Sequence, residues 1–193
     1  MISNNEKKVL RLLLSSVTQI YSINQISKEC TLSPNGAYKI LKKFEKENVL
    51  VSNIVINSKS YRINFNNEKT ILYLELALTD EFEKKIKFRY EDFKSLKDTS
   101  KVCILFGSYA KKDSPNDLDI FFIIGKNEFN TYKKSLELVK ELTPVKIHDV
   151  IQTSDDFKKN ILTDKVLISI IREGVVLWGQ KIIIEMIKDV YKN

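Results

Sequence analysis

Two aspartates separated by one apolar residue, Asp117-Leu118-Asp119, are the residues of this chain best suited to chemistry. In an extended strand residues two apart project from one face, so both carboxylates share a side while Leu118, Ile120 and Phe122 point the other way, into a core. Like charges held side by side repel. Structure rarely demands such a pair, but a divalent cation does: Mg2+ prefers oxygen ligands and commonly binds through one or two carboxylates plus substrate phosphates. Upstream, the apolar run Val102–Phe106 reads as a buried strand ending in Gly107-Ser108. Gly107 lets the backbone approach a phosphate closely. Ser108 offers a hydroxyl and a free N–H at the start of a short helical segment, which suits an anion. A polar turn through Ser114-Pro115-Asn116 then leads to the aspartate strand.

The elements that must hold this stretch are legible on both sides. After it, residues 129–142 have helical spacing, Val145–Ile151 reads as an apolar strand, and Ser154 is placed to cap a short helix holding Phe157. Residues 162–172 are again helix-periodic, Val175–Trp178 is a short strand, and residues 182–190 close the chain as a helix. Trp178 reads as packing. Before the site, residues 66–97 carry Ile71, Leu74, Leu78, Phe82, Ile86 and Phe93 mostly three or four apart. That spacing predicts one long amphipathic helix, or two broken near Thr79-Asp80 with Asp80 as a second N-cap. Its expected job is to pack two domains together or to pair with a second copy, giving a homodimer.

The first 65 residues predict three short helices and a strand pair. Ser3 with Glu6, and Ser22 with Gln25, fit capping boxes, and Ser33 precedes Pro34 at a first helical position. In the third helix Ala37, Ile40, Leu41 and Phe44 form one stripe, and Asn35, Tyr38, Lys39, Lys42, Lys43 and Lys46 occupy the remaining surface. Residues 49–56 and 60–65 read as strands joined by a turn at Asn57-Ser58-Lys59.

Bulk properties narrow the class. The chain has 193 residues, 43% of them hydrophobic, and a net charge of +7. Residues 1–65 hold 10 Lys and Arg against 4 Asp and Glu, so this third carries nearly all the surplus and points to a polyanion such as nucleic acid. The longest apolar runs are too short to cross a bilayer, and the N-terminus lacks the order of a signal peptide, so a cytoplasmic location without membrane contact is expected. Cys30 and Cys103 are 73 positions apart and read as small core residues rather than a disulfide or metal cluster.

Two resemblances follow from these patterns. Residues 1–65 resemble the winged-helix form of the helix-turn-helix domain. That implies DNA contact by the third helix through Asn35, Tyr38, Lys39, Lys42 and Lys43, and by the wing through Lys59 and Arg62; a protein-interaction module is the other use of such a unit. Phe106, Gly107, Ser108, Asp117, Leu118, Asp119 and Ile120 resemble the signature of the polymerase-β-like nucleotidyltransferase superfamily, in its minimal branch, over roughly residues 100–180. Together they imply an α+β protein: a winged helix (1–65), a helical connector (66–98) and a nucleotidyltransferase α/β domain with a small mixed sheet (99–193).

The second resemblance implies Mg2+ and a nucleoside triphosphate, with ATP expected. Asp117 and Asp119 would be catalytic metal ligands, Gly107 and Ser108 would bind nucleotide, and a third carboxylate is implied on a later strand. Asp149 is the best match for that third metal-binding catalytic residue, because it sits on an apolar strand where a charge is expensive. Its neighbour His148, the only histidine, reads either as a polar strand-edge residue or as a base or ligand. Lys111 or Lys112 could reach a triphosphate. The chain departs from the family pattern in having Lys112 where glycine is usual and a short spacer from Ser108 to Asp117. Nucleotidyl transfer to a protein, RNA or small molecule, a paired toxin included, is the implied activity. A non-catalytic regulator or antitoxin that senses nucleotide or binds a partner is the alternative.

Overall fold

The computed structural model describes residues 2–55, 58–79, 84–108 and 117–191. The chain opens with helix α1 (Asn4–Ser15), a two-residue strand β1 (Tyr21–Ser22), helices α2 (Ile23–Glu29) and α3 (Pro34–Lys46), and strands β2 (Leu50–Val55) and β3 (Ser58–Ile63). Each helix starts where a side chain satisfies free backbone N–H groups. Ser3 and Glu6 form a reciprocal capping box on α1, Ser22 and Gln25 do so on α2, and Ser33 accepts from the Gly36 N–H on α3. The stripe of α3 is buried at Ala37, Leu41 and Phe44, with Ile40 partly covered.

The three strands form an antiparallel sheet in the order β1-β3-β2. β1 was not legible in the sequence, because two residues carry no periodicity. Ser58 and Lys59, expected in the hairpin turn, instead belong to β3 opposite Val55 and Ile54, since the ladder extends nearer the turn than side-chain polarity suggests. Asn57 lies outside the described residues.

The connector is two helices, α4 (Glu68–Leu78, capped by Asn67) and α5 (Lys84–Phe93), followed by a 3-10 turn at Lys94–Leu96. Asp80 and Phe82 fall outside the described residues. α4 packs against α1 and α9, and its Leu74, Ala77 and Leu78 are buried.

A second sheet has the order β6-β5-β4-β7, built from β4 (Val102–Phe106), β5 (Asp117–Ile124), β6 (Lys146–Thr153) and β7 (Val175–Trp178). β5 and β6 run parallel and the other pairs are antiparallel, so the sheet is mixed. Helix α6 (Phe129–Leu142) makes the β5-to-β6 crossover that a parallel pair requires. Helices α7 (Ser154–Asn160), α8 (Lys165–Glu173) and α9 (Gln180–Tyr191) complete the chain. The cap of α7 is Thr153, in a box with Asp156, rather than Ser154; Thr153 still has extended dihedrals, which a capping residue needs.

Alternation along β4 and β5 divides the interior in two. Cys103, Leu105, Leu118, Ile120 and Phe122 face α6 and the end of α5, where Trp178 packs against Phe122 and Tyr90. Val102, Ile104, Phe121 and Ile123 face the other way, into a cluster with Phe157, Leu167, Ile170 and Ile184 that runs on to Val9, Leu13 and Leu41. One apolar cluster therefore draws on residues from both sides of the divisions expected at 65 and 98. Both cysteines are free and buried.

A buried arginine fastens this junction. Arg11 of α1 is only 8% exposed; its Nε donates to the Ile171 carbonyl at 3.3 Å and an Nη donates to that of Gly174. A cation thus meets carbonyls at the C-terminus of α8, where the helix dipole favours positive charge. Tyr191 of α9 adds hydrogen bonds from its hydroxyl to the Leu13 and Ser16 carbonyls. Replacing Arg11 by Met keeps the bulk but leaves both carbonyls without that donor, so Arg11→Met is expected to lower stability by about 1–3 kcal/mol in urea unfolding. An unchanged midpoint would mean that these carbonyls find water instead.

Candidate active site

The site is assembled at the start of β5. Asp117 and Asp119 lie on the face shared with Phe121 and Ile123, as period two requires, and Leu118, Ile120 and Phe122 are fully buried on the opposite face. Antiparallel pairing sets Asp119 opposite Phe106, the last residue of β4, so Gly107 follows immediately beside it. Gly107 has φ +71°, in the left-handed region that favours glycine, and a Cβ there would collide with the Asp119 carboxylate. The bare backbone at Gly107 thus accommodates the Asp119 side chain itself. Ser108 follows in a turn, half-buried. Lys111, Lys112, the expected helical start and the Ser114-Pro115-Asn116 turn lie outside the described residues.

On the other side, parallel pairing sets His148 of β6 opposite Asp119. His148 Nδ1 is 3.5 Å from Asp119 Oδ1 and 3.6 Å from Asp117 Oδ2. One ligand atom from each of the three residues lies within 4.8 Å of the others, a spacing that can hold a metal ion. Among the described residues no lysine or arginine forms an ion pair with Asp117 or Asp119. The two carboxylates are partly exposed, so their mutual repulsion is softened by water and available to be offset by a cation.

Asp149 does not join them. It pairs in register with Ile120, on the sheet face covered by α6, where its Oδ1 lies 3.2 Å from Lys140 Nζ. A charge on this strand needs compensation, and the Lys140 ammonium supplies it. Beneath it, burial, with a smaller contribution from Asp149, pushes the Tyr132 phenol above its usual range. The carboxylate expected as a third ligand thus lies on the face opposite Asp117 and Asp119, and His148, read as a strand-edge residue or as a base or ligand, stands beside them instead. The signal was present: in Ile147-His148-Asp149-Val150-Ile151, period two puts Asp149 with the two isoleucines and His148 on the other face.

Beside Phe106 and Gly107 a cleft of about 270 Å³ opens toward α8, bounded by Lys165, Ser169 and Glu173. None of these three α8 residues was marked in the sequence, since a lone lysine on a helix carries no motif.

The basic face of the N-terminal unit is also formed. Asn35, Tyr38, Lys39, Lys42 and Lys43 are exposed on α3, and Arg62 is exposed on β3, which also carries Lys59. Carboxylates interleave with them. Lys42 and Lys59 approach Glu45 at 3.0 and 2.7 Å, and Lys43 meets Glu6 at 2.7 Å. Hydrogen bonds from Lys59, Ser52 and Lys42 hold the Glu45 carboxyl down to about 2. Among the described residues no helix is long and apolar enough to cross a membrane.

The closeness of Gly107 to Asp119 makes a sharp expectation. Gly107→Ala introduces a left-handed alanine costing about 1–2 kcal/mol and displaces the Asp119 carboxylate. Divalent-cation affinity, measured by calorimetry on the folded variant, should fall about 10- to 100-fold, as when a ligand loses its support. Unaltered affinity would separate Asp119 from any metal.

No curated protein and no solved structure matched the chain in comparisons with each. Residues 90–181, which run from the end of α5 to the start of α9, match the family model of the polymerase beta nucleotidyltransferase domain. That match supports a domain of the polymerase-β-like superfamily in this part of the chain.

Proposed function

We propose that the chain is a metal-dependent nucleotidyltransferase whose N-terminal unit is a DNA-binding winged helix. One observation carries the catalytic part: Asp117 and Asp119 share a face at the mouth of the sheet, beside a glycine that leaves room for Asp119. Asp117 and Asp119 would hold a divalent cation, Mg2+ in the simplest reading, and the cation would supply positive charge against a nucleoside triphosphate such as ATP and its departing pyrophosphate. Gly107 and Ser108 lie where backbone N–H groups and a hydroxyl can orient phosphate oxygens. The acceptor oxygen bonds to the α-phosphorus, the bond to the bridging oxygen of the β-phosphate breaks, pyrophosphate leaves, and the hydroxyl proton passes to water. The acceptor class is a protein hydroxyl, an RNA end or a small molecule, with a paired toxin among the proteins.

The N-terminal reading is supported by the order helix, strand, helix, helix, hairpin and by lysines along the outer side of α3. Asn35, Tyr38, Lys39, Lys42 and Lys43 would meet the major groove, and Lys59 and Arg62 the backbone. The ion pairs of Lys42 and Lys59 with Glu45 are exposed enough to be exchanged for phosphate contacts at small cost, whereas Lys43 is held by the buried Glu6.

A second reading, a non-catalytic regulator or antitoxin, is favoured by one observation: Asp149, the expected third carboxylate, is engaged with Lys140 on the far face. Incubation with a divalent cation and α-labelled nucleoside triphosphates, alone and with cell lysate, separates the two. Transfer of label that disappears in Asp117→Asn/Asp119→Asn is the expected result; nucleotide binding without transfer would favour the regulator. For the N-terminal unit, Lys39→Ala should weaken binding to duplexes of any sequence and reduce the slope of log K against log salt by about 1. A slope unchanged by that substitution would remove Lys39 from the interface.

A further inference from the structure

His148 is the residue of the site that the family pattern leaves unassigned, and its placement bears on which metal the site takes. The inference rests on the metal-holding role proposed above for Asp117 and Asp119. His148 Nδ1 is nearly equidistant from the two carboxylates, at 3.5 and 3.6 Å. Two bonds of about 2.0–2.2 Å to a shared ion span such separations. The imidazole is placed by the β5–β6 ladder rather than by a loop, so its approach to Asp119 is fixed by backbone pairing. On the opposite face Lys140 already compensates Asp149, which leaves that carboxylate no part in the set.

The donor set is therefore two carboxylate oxygens and one imidazole nitrogen. Oxygen-only sites suit Mg2+, whereas imidazole suits first-row transition ions, whose affinity for nitrogen donors exceeds that of Mg2+. We infer that His148 is a nitrogen ligand of this site, and that the site takes a divalent transition ion such as Mn2+ ahead of Mg2+.

The test uses the full chain loaded with Mn2+ and pulsed electron paramagnetic resonance. The wild type should show modulation from a directly bound 14N that changes on 15N-histidine labelling and vanishes in His148→Gln. In His148→Asp, a variant with three carboxylates, the preference for Mn2+ over Mg2+ in competition titrations should fall by about tenfold. Circular dichroism confirms that both variants are folded. Mn2+ bound by the wild type through oxygen alone, with the same spectrum in His148→Gln, would overturn the inference and leave the carboxylate site standing. Mn2+ that does not bind, or that binds equally well to Asp117→Asn/Asp119→Asn, would remove both the inference and the metal-holding role beneath it.

Discussion

The parallel pairing of β5 with β6 is the constraint on which the site depends. It sets Asp119 against His148 and Ile120 against Asp149, and so decides which side chains of two alternating strands share a face. A slip of one residue would reverse every assignment, bringing Asp149 to the aspartates and His148 to α6. Apolar burial resists that slip: Leu118 and Ile120 are fully buried, and Ile147 opposite Leu118 is nearly so. Moving these to the exposed face would cost on the order of 2 kcal/mol for each large side chain. The hydrophobic layer under α6 thereby holds the polar site on the other face in register.

The same sheet joins the two halves of the chain. Its second face packs on α7, α8 and α9, and the apolar cluster there continues into α1 and α3. Polar contacts follow the apolar ones: Arg11 meets the carbonyls ending α8, Tyr191 meets those ending α1, and Arg172 pairs with Glu29 of α2. α8 consequently borders the cleft beside Gly107 along its length and receives Arg11 at its end. The proposed DNA-contacting unit, through Arg11, and the proposed catalytic site, through the cleft beside Gly107, thus both meet α8.

Carboxylates tie the lysines on the basic face of α3 to neighbouring elements. Glu45 ties Lys42 of α3 to Lys59 of the hairpin, and Glu6 ties Lys43 to the first turn of α1. These pairs orient lysines that would otherwise sample many rotamers; the two on Glu45 stay exposed and exchangeable, while Glu6 is buried beneath Lys43.

Whatever depends on near neighbours in the chain is legible in the order of residues. The starts of α1, α2 and α3 follow from Ser3, Ser22 and Ser33, because capping satisfies backbone N–H groups within three residues. The same-face placement of Asp117 and Asp119 follows from period two alone, as does the burial of Leu118 and Ile120. Tertiary structure decided what depends on partners distant in sequence. Asp149 is 32 positions from Asp117 and meets Lys140 instead, while its neighbour His148 joins the aspartates. Gly107 is required by a side chain 12 residues away, β1 exists only through its pairing with β3, and Arg11 is buried because α8 closes over it. Strand order and register are set by which apolar faces can be buried together, and that choice belongs to the whole chain rather than to any local run of residues.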